Sequence, residues 1–208
     1  MRLITFPEPS LANKDGLLAM GGDLRPATLL AAYAQGIFPW YGRDDPILWW
    51  SPDPRMVLFP DNFHCSKRLA RRLKQARYRF SHNESFAEVI DLCAHIPRKD
   101  EGGTWILPEM ITAYSLLHAQ GFAHSFEVWE GDLLIGGLYG VLHKQLFFAE
   151  SMFSRKRDAS KMAVAQLVDY ARLMNCKLID CQFHTEHLFS LGGREISRQA
   201  FMALITKD

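Results

Sequence analysis

Between residues 123 and 150 the sequence reads as a run of strands separated by very short turns, and this run dictates the sheet. Ala123–Trp129 and Leu133–Val141 flank the turn Glu130-Gly131-Asp132, and Gln145–Glu150 follows after a short gap. Strands joined so tightly must run antiparallel, because a parallel return needs a crossover of about a dozen residues or more. Such a crossover comes next. A helical pattern from Ala159 to Met174 leads to an apolar strand at Lys177–Phe183, which can pair in parallel. The expectation is an α+β chain with a mixed sheet.

Helical patterns fill much of the remainder. Pro26–Gln35 has proline in its first turn and Gly36 as its stop. Ser66 caps a helix on which Leu69, Leu73 and Ala76 recur at helical spacing. Further helices are expected at about Glu84–His95, from Pro108 to Gly121, and after Ser197. The first 55 residues are dense in Gly, Pro and Trp, with turn signals at Gly21-Gly22-Asp23, Gly36–Trp40 and Trp49–Pro54. They are read as a small N-terminal domain, 1–55, ahead of a larger domain, 56–208.

A chain of 208 residues, 48% hydrophobic and 23% charged, folds as one large domain or two small ones. No apolar run approaches the ~20 residues of a membrane span. The start, Met1 to Pro7, lacks the features of a secretory signal. A soluble cytoplasmic protein is expected, with no membrane partner. Cys65, Cys93, Cys176 and Cys181 form no C-x-x-C pair and are read as free buried thiols. His184 and His187 are an isolated H-x-x-H without the H-E-x-x-H of a metalloenzyme helix, so no metal is expected. No Gly-rich loop ending in Gly-Lys-Ser or Gly-Lys-Thr is present, and Gly136–Gly140 is not a dinucleotide fingerprint. The phosphate-cradling loop of a CoA-dependent acetyltransferase is missing ahead of the Ala159 helix. With no cofactor expected, an acyl donor would have to arrive already activated.

Net charge is only +1, but it is unevenly placed. Lys67, Arg68, Arg71, Arg72, Lys74, Arg77 and Arg79 fall between Asp61 and Glu84 with no acid among them. A solvated helix face normally mixes signs, so this run favours phosphate contact, positioning a nucleic acid without reading its sequence.

In Lys177-Leu178-Ile179-Asp180-Cys181-Gln182-Phe183 the side chains of Asp180 and Gln182 share one face of an otherwise apolar strand. Buried there, both need partners. The strand alone admits two readings: a hydrogen-bonded pair that fixes register, or Asp180 fixing the Gln182 amide to orient a reacting amine. Glu150, at the end of an aromatic strand, either binds a substrate amino group or pairs with a base such as Arg155. Trp40, Trp49, Trp50, Trp105, Phe147 and Phe153 either pack a core or line an apolar pocket and stack a base.

Several strings belong together. Gly16–Leu24, Gly36–Trp40, Pro46–Arg55, Gly103–Ile106, His124–Trp129, Gly136–Val141, Glu150–Arg155, Ala159–Lys161, Leu178–Gln182 and Ser190–Gly192 run in order along nearly the whole chain. In these the chain closely resembles the bacterial leucyl/phenylalanyl-tRNA–protein transferases. Ile-Phe-Pro-Trp, Trp-Trp-Ser-Pro-Asp-Pro-Arg and Leu-Ile-Asp-Cys-Gln are specific to that family. The resemblance implies a small N-terminal domain followed by a GNAT-like acyltransferase domain that works without CoA. It implies transfer of Leu, Phe and less readily Met from aminoacyl-tRNA to proteins beginning with Arg or Lys, marking them for degradation.

By motif position, the resemblance sets Trp40, Trp105, Leu138 and Phe147 around an aminoacyl-adenosine site. Glu150 would lie against the aminoacyl group or its acceptor, Asp180 and Gln182 would be the catalytic pair, and Lys67–Arg79 would hold the tRNA acceptor stem. Leu167 and Ala171 stand where some members carry Phe, so the side-chain pocket is expected to differ in shape. The enzyme is expected to act as a monomer. Two rival readings are a CoA-dependent N-acetyltransferase and a non-catalytic tRNA-binding module.

Overall fold

A computed structural model describes residues 4–95 and 105–206. The chain opens with β1 (Leu17–Met20), α1 (Pro26–Tyr33), β2 (Phe38–Pro39) and β3 (Leu48–Trp50). These strands form a small antiparallel sheet in the order β1-β3-β2. There follow β4 (Arg55–Leu58), α2 (Lys67–Leu73), β5 (Tyr78–His82), α3 (Phe86–His95) and α4 (Pro108–Ala119). The meander is β6 (Ala123–Glu130), β7 (Leu133–His143) and β8 (Leu146–Ser154). The chain ends with α5 (Ala159–Leu173), β9 (Leu178–Gln182), α6 (Glu186–Phe189), β10 (Arg194–Ile196) and α7 (Arg198–Thr206).

The main sheet has seven strands in the order β10-β4-β9-β8-β7-β6-β5. β8 and β9 are parallel, and the other neighbours are antiparallel. This is the α+β mixed sheet expected from the meander and the α5 crossover. Side chains alternate between two cores. Leu134, Tyr139, Phe148 and Leu178 face α1, α3, α4 and α7, whereas Ile135, Leu138, Phe147 and Ile179 face α5 and α2. Both faces are covered, which is why these strands read as near-continuous apolar runs. α5 packs directly over Gly136, where an added Cβ would stand 2.5 Å from that of Ala159.

Four expectations change. β8 runs on to Ser154, past the expected end at Glu150. α2 stops at Leu73, with Ser66 capping it through the Leu69 amide at 3.2 Å, so Lys74, Arg77 and Arg79 lie beyond the helix. Tyr78–His82 instead pairs with β6 as the edge strand, since Tyr78 and Phe80 turn inward and Arg79 outward. Cys65 is exposed, while Cys93, Cys176 and Cys181 are buried. Gly103 and Thr104 of one motif lie outside the described residues. Among the described residues no helix is long and apolar enough to cross a membrane.

Candidate active site

The site forms where the two parallel strands stop pairing. β8 and β9 are in register only from Leu146 opposite Leu178 to Phe148 opposite Asp180. Beyond that point each strand carries an extra residue. β7 pairs Gly140 with Ala149 and Tyr139 with Ser151, so Glu150 is bulged out of the ladder. β4 pairs Val57 with Asp180 and Met56 with Gln182, so Cys181 is the bulged residue there. A bulge bends its strand and re-aims a side chain. Two bulges side by side separate the strands and leave a cavity of about 280 Å³.

Its walls are mostly apolar: Phe38, Trp40, Trp105, Leu138, Met152, Phe183 and Leu188. The polar side chains among them are Glu150, Ser151, Gln182 and Thr185. Trp40 is 40% exposed at the mouth, its ring 5.4 Å from Phe183 and 5.5 Å from Trp50. The cavity suits an apolar side chain approached by a few polar atoms.

Asp180 is fully buried and does not hold the side-chain amide of Gln182. Its carboxylate takes a two-pronged ion pair from Arg55, Nε to Oδ1 at 2.8 Å and Nη2 to Oδ2 at 2.5 Å. Asp180 Oδ1 also accepts the Gln182 backbone N–H at 3.0 Å. That bond holds Gln182 in a left-handed backbone, φ 57°, a conformation costing on the order of 1–2 kcal/mol outside glycine. The Gln182 side chain lines the cavity, and its amide nitrogen is buried with no partner among the described residues. Arg55 is itself fully buried between the rings of Phe38 and Phe201, 4.7 and 4.6 Å away. It also donates to the Gly36 carbonyl at 3.0 Å, tying the turn that presents Trp40 to the polar strand.

Among the described residues no arginine hydrogen-bonds Glu150, and Arg155 donates instead to the Leu134 carbonyl at 3.2 Å. Two buried tyrosines hold its carboxylate: Tyr33 at 2.7 Å on Oε1 and Tyr114 at 2.9 Å on Oε2. The tyrosine hydroxyls lie 2.6 Å from one another. Burial pushes the Glu150 carboxyl up to about 7, opposed by the two tyrosine hydrogen bonds, while negative Asp180 adds to the rise. Burial beside that carboxylate raises both tyrosines well above their usual range.

The structure therefore brings Trp40, Trp105, Leu138, Glu150 and Gln182 to one cavity, with Asp180 directly behind Gln182. It does not bring Trp49, Phe147, Phe153, Leu167 or Ala171 to that wall. Trp49 is packed in the N-terminal sheet, its Nε1 donating to the Gly21 carbonyl at 2.8 Å. Phe153 is in the core on the α3 and α4 side. Phe147, Leu167 and Ala171 sit in the α5 core. Sequence reasoning missed Arg55, Tyr33 and Tyr114. A buried aspartate in an apolar strand demands a cation, and Arg55 heading the apolar run Met56-Val57-Leu58 was the available signal.

The basic segment is less uniformly free than its sequence suggests. Arg68 and Arg72 both bind Asp158, at the start of α5, at 2.9 and 3.0 Å. Arg77 faces Glu130 at 3.4 Å, and Arg79 binds Glu84 at 2.5 Å while lying over the Trp129 ring. Lys67, Arg71 and Lys74 are exposed and make no ion pair with a described acid.

Comparison with known proteins bears on the whole chain. Residues 57–206 match the family model for leucyl/phenylalanyl-tRNA protein transferase, and residues 22–53 match the model for its N-terminal domain. A leucyl/phenylalanyl-tRNA–protein transferase of Anaeromyxobacter sp. (strain Fw109-5) is 55% identical over 202 residues, covering 97% of this chain and 86% of that one. The protein of the same name from Syntrophobacter fumaroxidans (strain DSM 10017 / MPOB) is 51% identical over 205 residues, covering 99% and 88%. Among solved structures, a GCN5-related N-acetyltransferase from Kribbella flavida is 9% identical with a TM-score of 0.46, covering 80% and 59% of the two chains. FemX is 12% identical with a TM-score of 0.46, covering 87% and 71%.

Proposed function

The chain belongs to the leucyl/phenylalanyl-tRNA–protein transferase family, and from that membership we propose that it moves leucine or phenylalanine from a charged tRNA to the N-terminal amino group of a protein. It is an aminoacyltransferase. In this reading methionine is transferred less readily, the acceptor begins with Arg or Lys, and the added residue marks it for degradation in the cytoplasm. The enzyme acts as a monomer, with residues 1–55 as a small N-terminal domain and 56–208 as the catalytic one.

The observation that carries the reading is the apolar cavity whose polar atoms are confined to the point where β8 and β9 part. An aminoacyl ester is already reactive, so the enzyme's main task is to align an amine with the ester carbonyl. Trp40, Trp105 and Leu138 would enclose the aminoacyl end of the tRNA. Losing one methylene of side-chain burial is worth only about 1–3 kcal/mol, so preference among apolar amino acids should be graded. The Gln182 amide would orient the attacking amine. Asp180 would act through the Gln182 backbone, with Arg55 as the positioning residue that fixes Asp180. Trp49, Phe147, Phe153, Leu167 and Ala171 would then support the cavity from behind.

For the tRNA, Lys67, Arg71 and Lys74 are the cations of the basic segment with charge to spare. Arg68, Arg72, Arg77 and Arg79 would contribute in part as structural pairs. The test is to mix the protein with labelled leucyl-tRNA and an Arg-starting peptide, without ribosomes, ATP or CoA. The expected result is labelled leucine on the peptide. Binding of tRNA with no transfer, or acetylation on adding acetyl-CoA, would overturn the reading.

A further inference from the structure

Glu150, Tyr33 and Tyr114 form a closed triangle of oxygens. Each tyrosine hydroxyl touches one carboxyl oxygen, and the two hydroxyls touch each other. Three contacts need three hydrogens. The two hydroxyls supply two, so the triangle is complete only when the carboxyl carries the third. Protonated, the ring closes in one direction: carboxyl to one hydroxyl, that hydroxyl to the other, and the second back to the carboxyl. Ionised, one of the three contacts loses its hydrogen, at a site where burial already disfavours charge.

Glu150 also lines the cavity, and it is the bulged residue of β8. The groups that set its charge state are few: Tyr33 from α1, Tyr114 from α4 with Tyr139 of β7 beside it, Asp180 from β9 and Arg55 from β4. Asp180 is poorly placed to take a proton from a substrate, because it lies behind Gln182, outside the cavity lining to which Glu150 belongs, and is bound to Arg55 and the Gln182 backbone N–H. Tyr33 and Tyr114 are raised too far to serve.

We propose that Glu150, held by Tyr33 and Tyr114, is the general base that takes a proton from the acceptor's α-ammonium group. This rests on the transferase reading above and assigns the proton acceptor of that reaction. Ionised Glu150 accepts one proton from the ammonium and completes its ring. The neutral amine then attacks the ester carbonyl and forms the new C–N bond. As the bond from the carbonyl carbon to the ribose oxygen breaks, the second proton on nitrogen passes to that oxygen, which leaves as a hydroxyl. Glu150 afterwards releases its proton to solvent, so one proton is freed per amide made. A base with an ionisation near 7 is matched to an α-amine of about 7.7–8.0.

The experiment is a pH profile of single-turnover transfer for the wild type, Glu150→Gln, Tyr114→Phe and Gln182→Ala, at saturating leucyl-tRNA with an Arg-starting peptide. Glu150→Gln should slow transfer about 10²-fold near pH 6.5, and the deficit should shrink to a few-fold near pH 9, where the amine arrives already neutral. Tyr114→Phe removes a donor from the ionised form and breaks the ring of the protonated one, so the midpoint of its profile should move away from the wild-type value. That variant decides the matter if Glu150→Gln does not fold. A pH-independent deficit in Glu150→Gln, or an unmoved midpoint in Tyr114→Phe, overturns the proposal. The transferase reading itself fails in a different way: the wild type does not transfer; normal transfer by Gln182→Ala would remove only the orienting role of that amide.

Discussion

The strand Leu178–Gln182 and the segment Lys67–Arg79 look equally eloquent in sequence, yet the fold treats them differently. In β9 the polar side chains are sealed in and must be satisfied by particular partners. Asp180 finds Arg55, which is 125 positions away in sequence, and reserves one oxygen for the Gln182 backbone. On the basic segment the charges face water, and acids from elsewhere neutralise several of them: Asp158 serves two arginines, Glu130 and Glu84 one each. Burial makes a polar residue informative because an unpaired partner is costly. Exposure makes a run of like charges ambiguous, since surface ion pairs are worth only about 0–1 kcal/mol and form readily.

The contrast can be broken first at Asp180. Asp180→Ala leaves Arg55 buried and unpaired, which should cost about 3–5 kcal/mol of stability in urea unfolding. A loss below about 1 kcal/mol would mean that the pair contributes no more than a surface one.

Glu150 gives the next largest effect, through pH. Its carboxyl is raised from an ordinary 4.5 to about 7 in the folded chain. Between those values the folded state holds a proton that the unfolded state lacks. The contribution of this group is therefore fully present below about 4.5 and is lost as pH rises through about 7. Relative to Glu150→Gln, which cannot titrate, the wild type should lose up to about 3 kcal/mol across that window. Parallel denaturant curves at several pH values measure it, and a constant difference would place the carboxylate in water.

The basic segment should yield the smallest effect and the sharpest internal comparison. Arg71→Ala should weaken every tRNA similarly and lower the slope of log affinity against log salt by about 0.9 or less. Arg77→Ala, starting from a cation facing Glu130, should lower it less. Equal changes would mean that the ion pairs open when tRNA binds.

These differences also mark what the sequence made legible. The meander and the α5 crossover were readable because turn spacing leaves antiparallel pairing as the only choice, and strand and helix periods differ. β5 was hidden inside a basic run whose arginines suggested a continuing helix. β4, only Arg55–Leu58, is too short for a period to declare itself, although it lies between β10 and β9. Trp40, Trp105, Leu138, Glu150 and Gln182 were singled out in sequence and share one cavity in the fold, but the way they are held was not legible. That depends on Arg55, Tyr33 and Tyr114, which meet the site from three separate elements. It depends also on the bulges at Glu150 and Cys181, since a bulge is a feature of two strands and neither one announces it alone.

If chemistry resides at the end of β9, it is separable from tRNA docking elsewhere on the chain. The most direct measurement is the single-turnover rate and the tRNA dissociation constant of Gln182→Ala, taken on the same preparation with leucyl-tRNA. The rate should fall about 10²–10³-fold with tRNA affinity unchanged within about twofold. Equal losses in rate and affinity, or an unchanged rate, would contradict it.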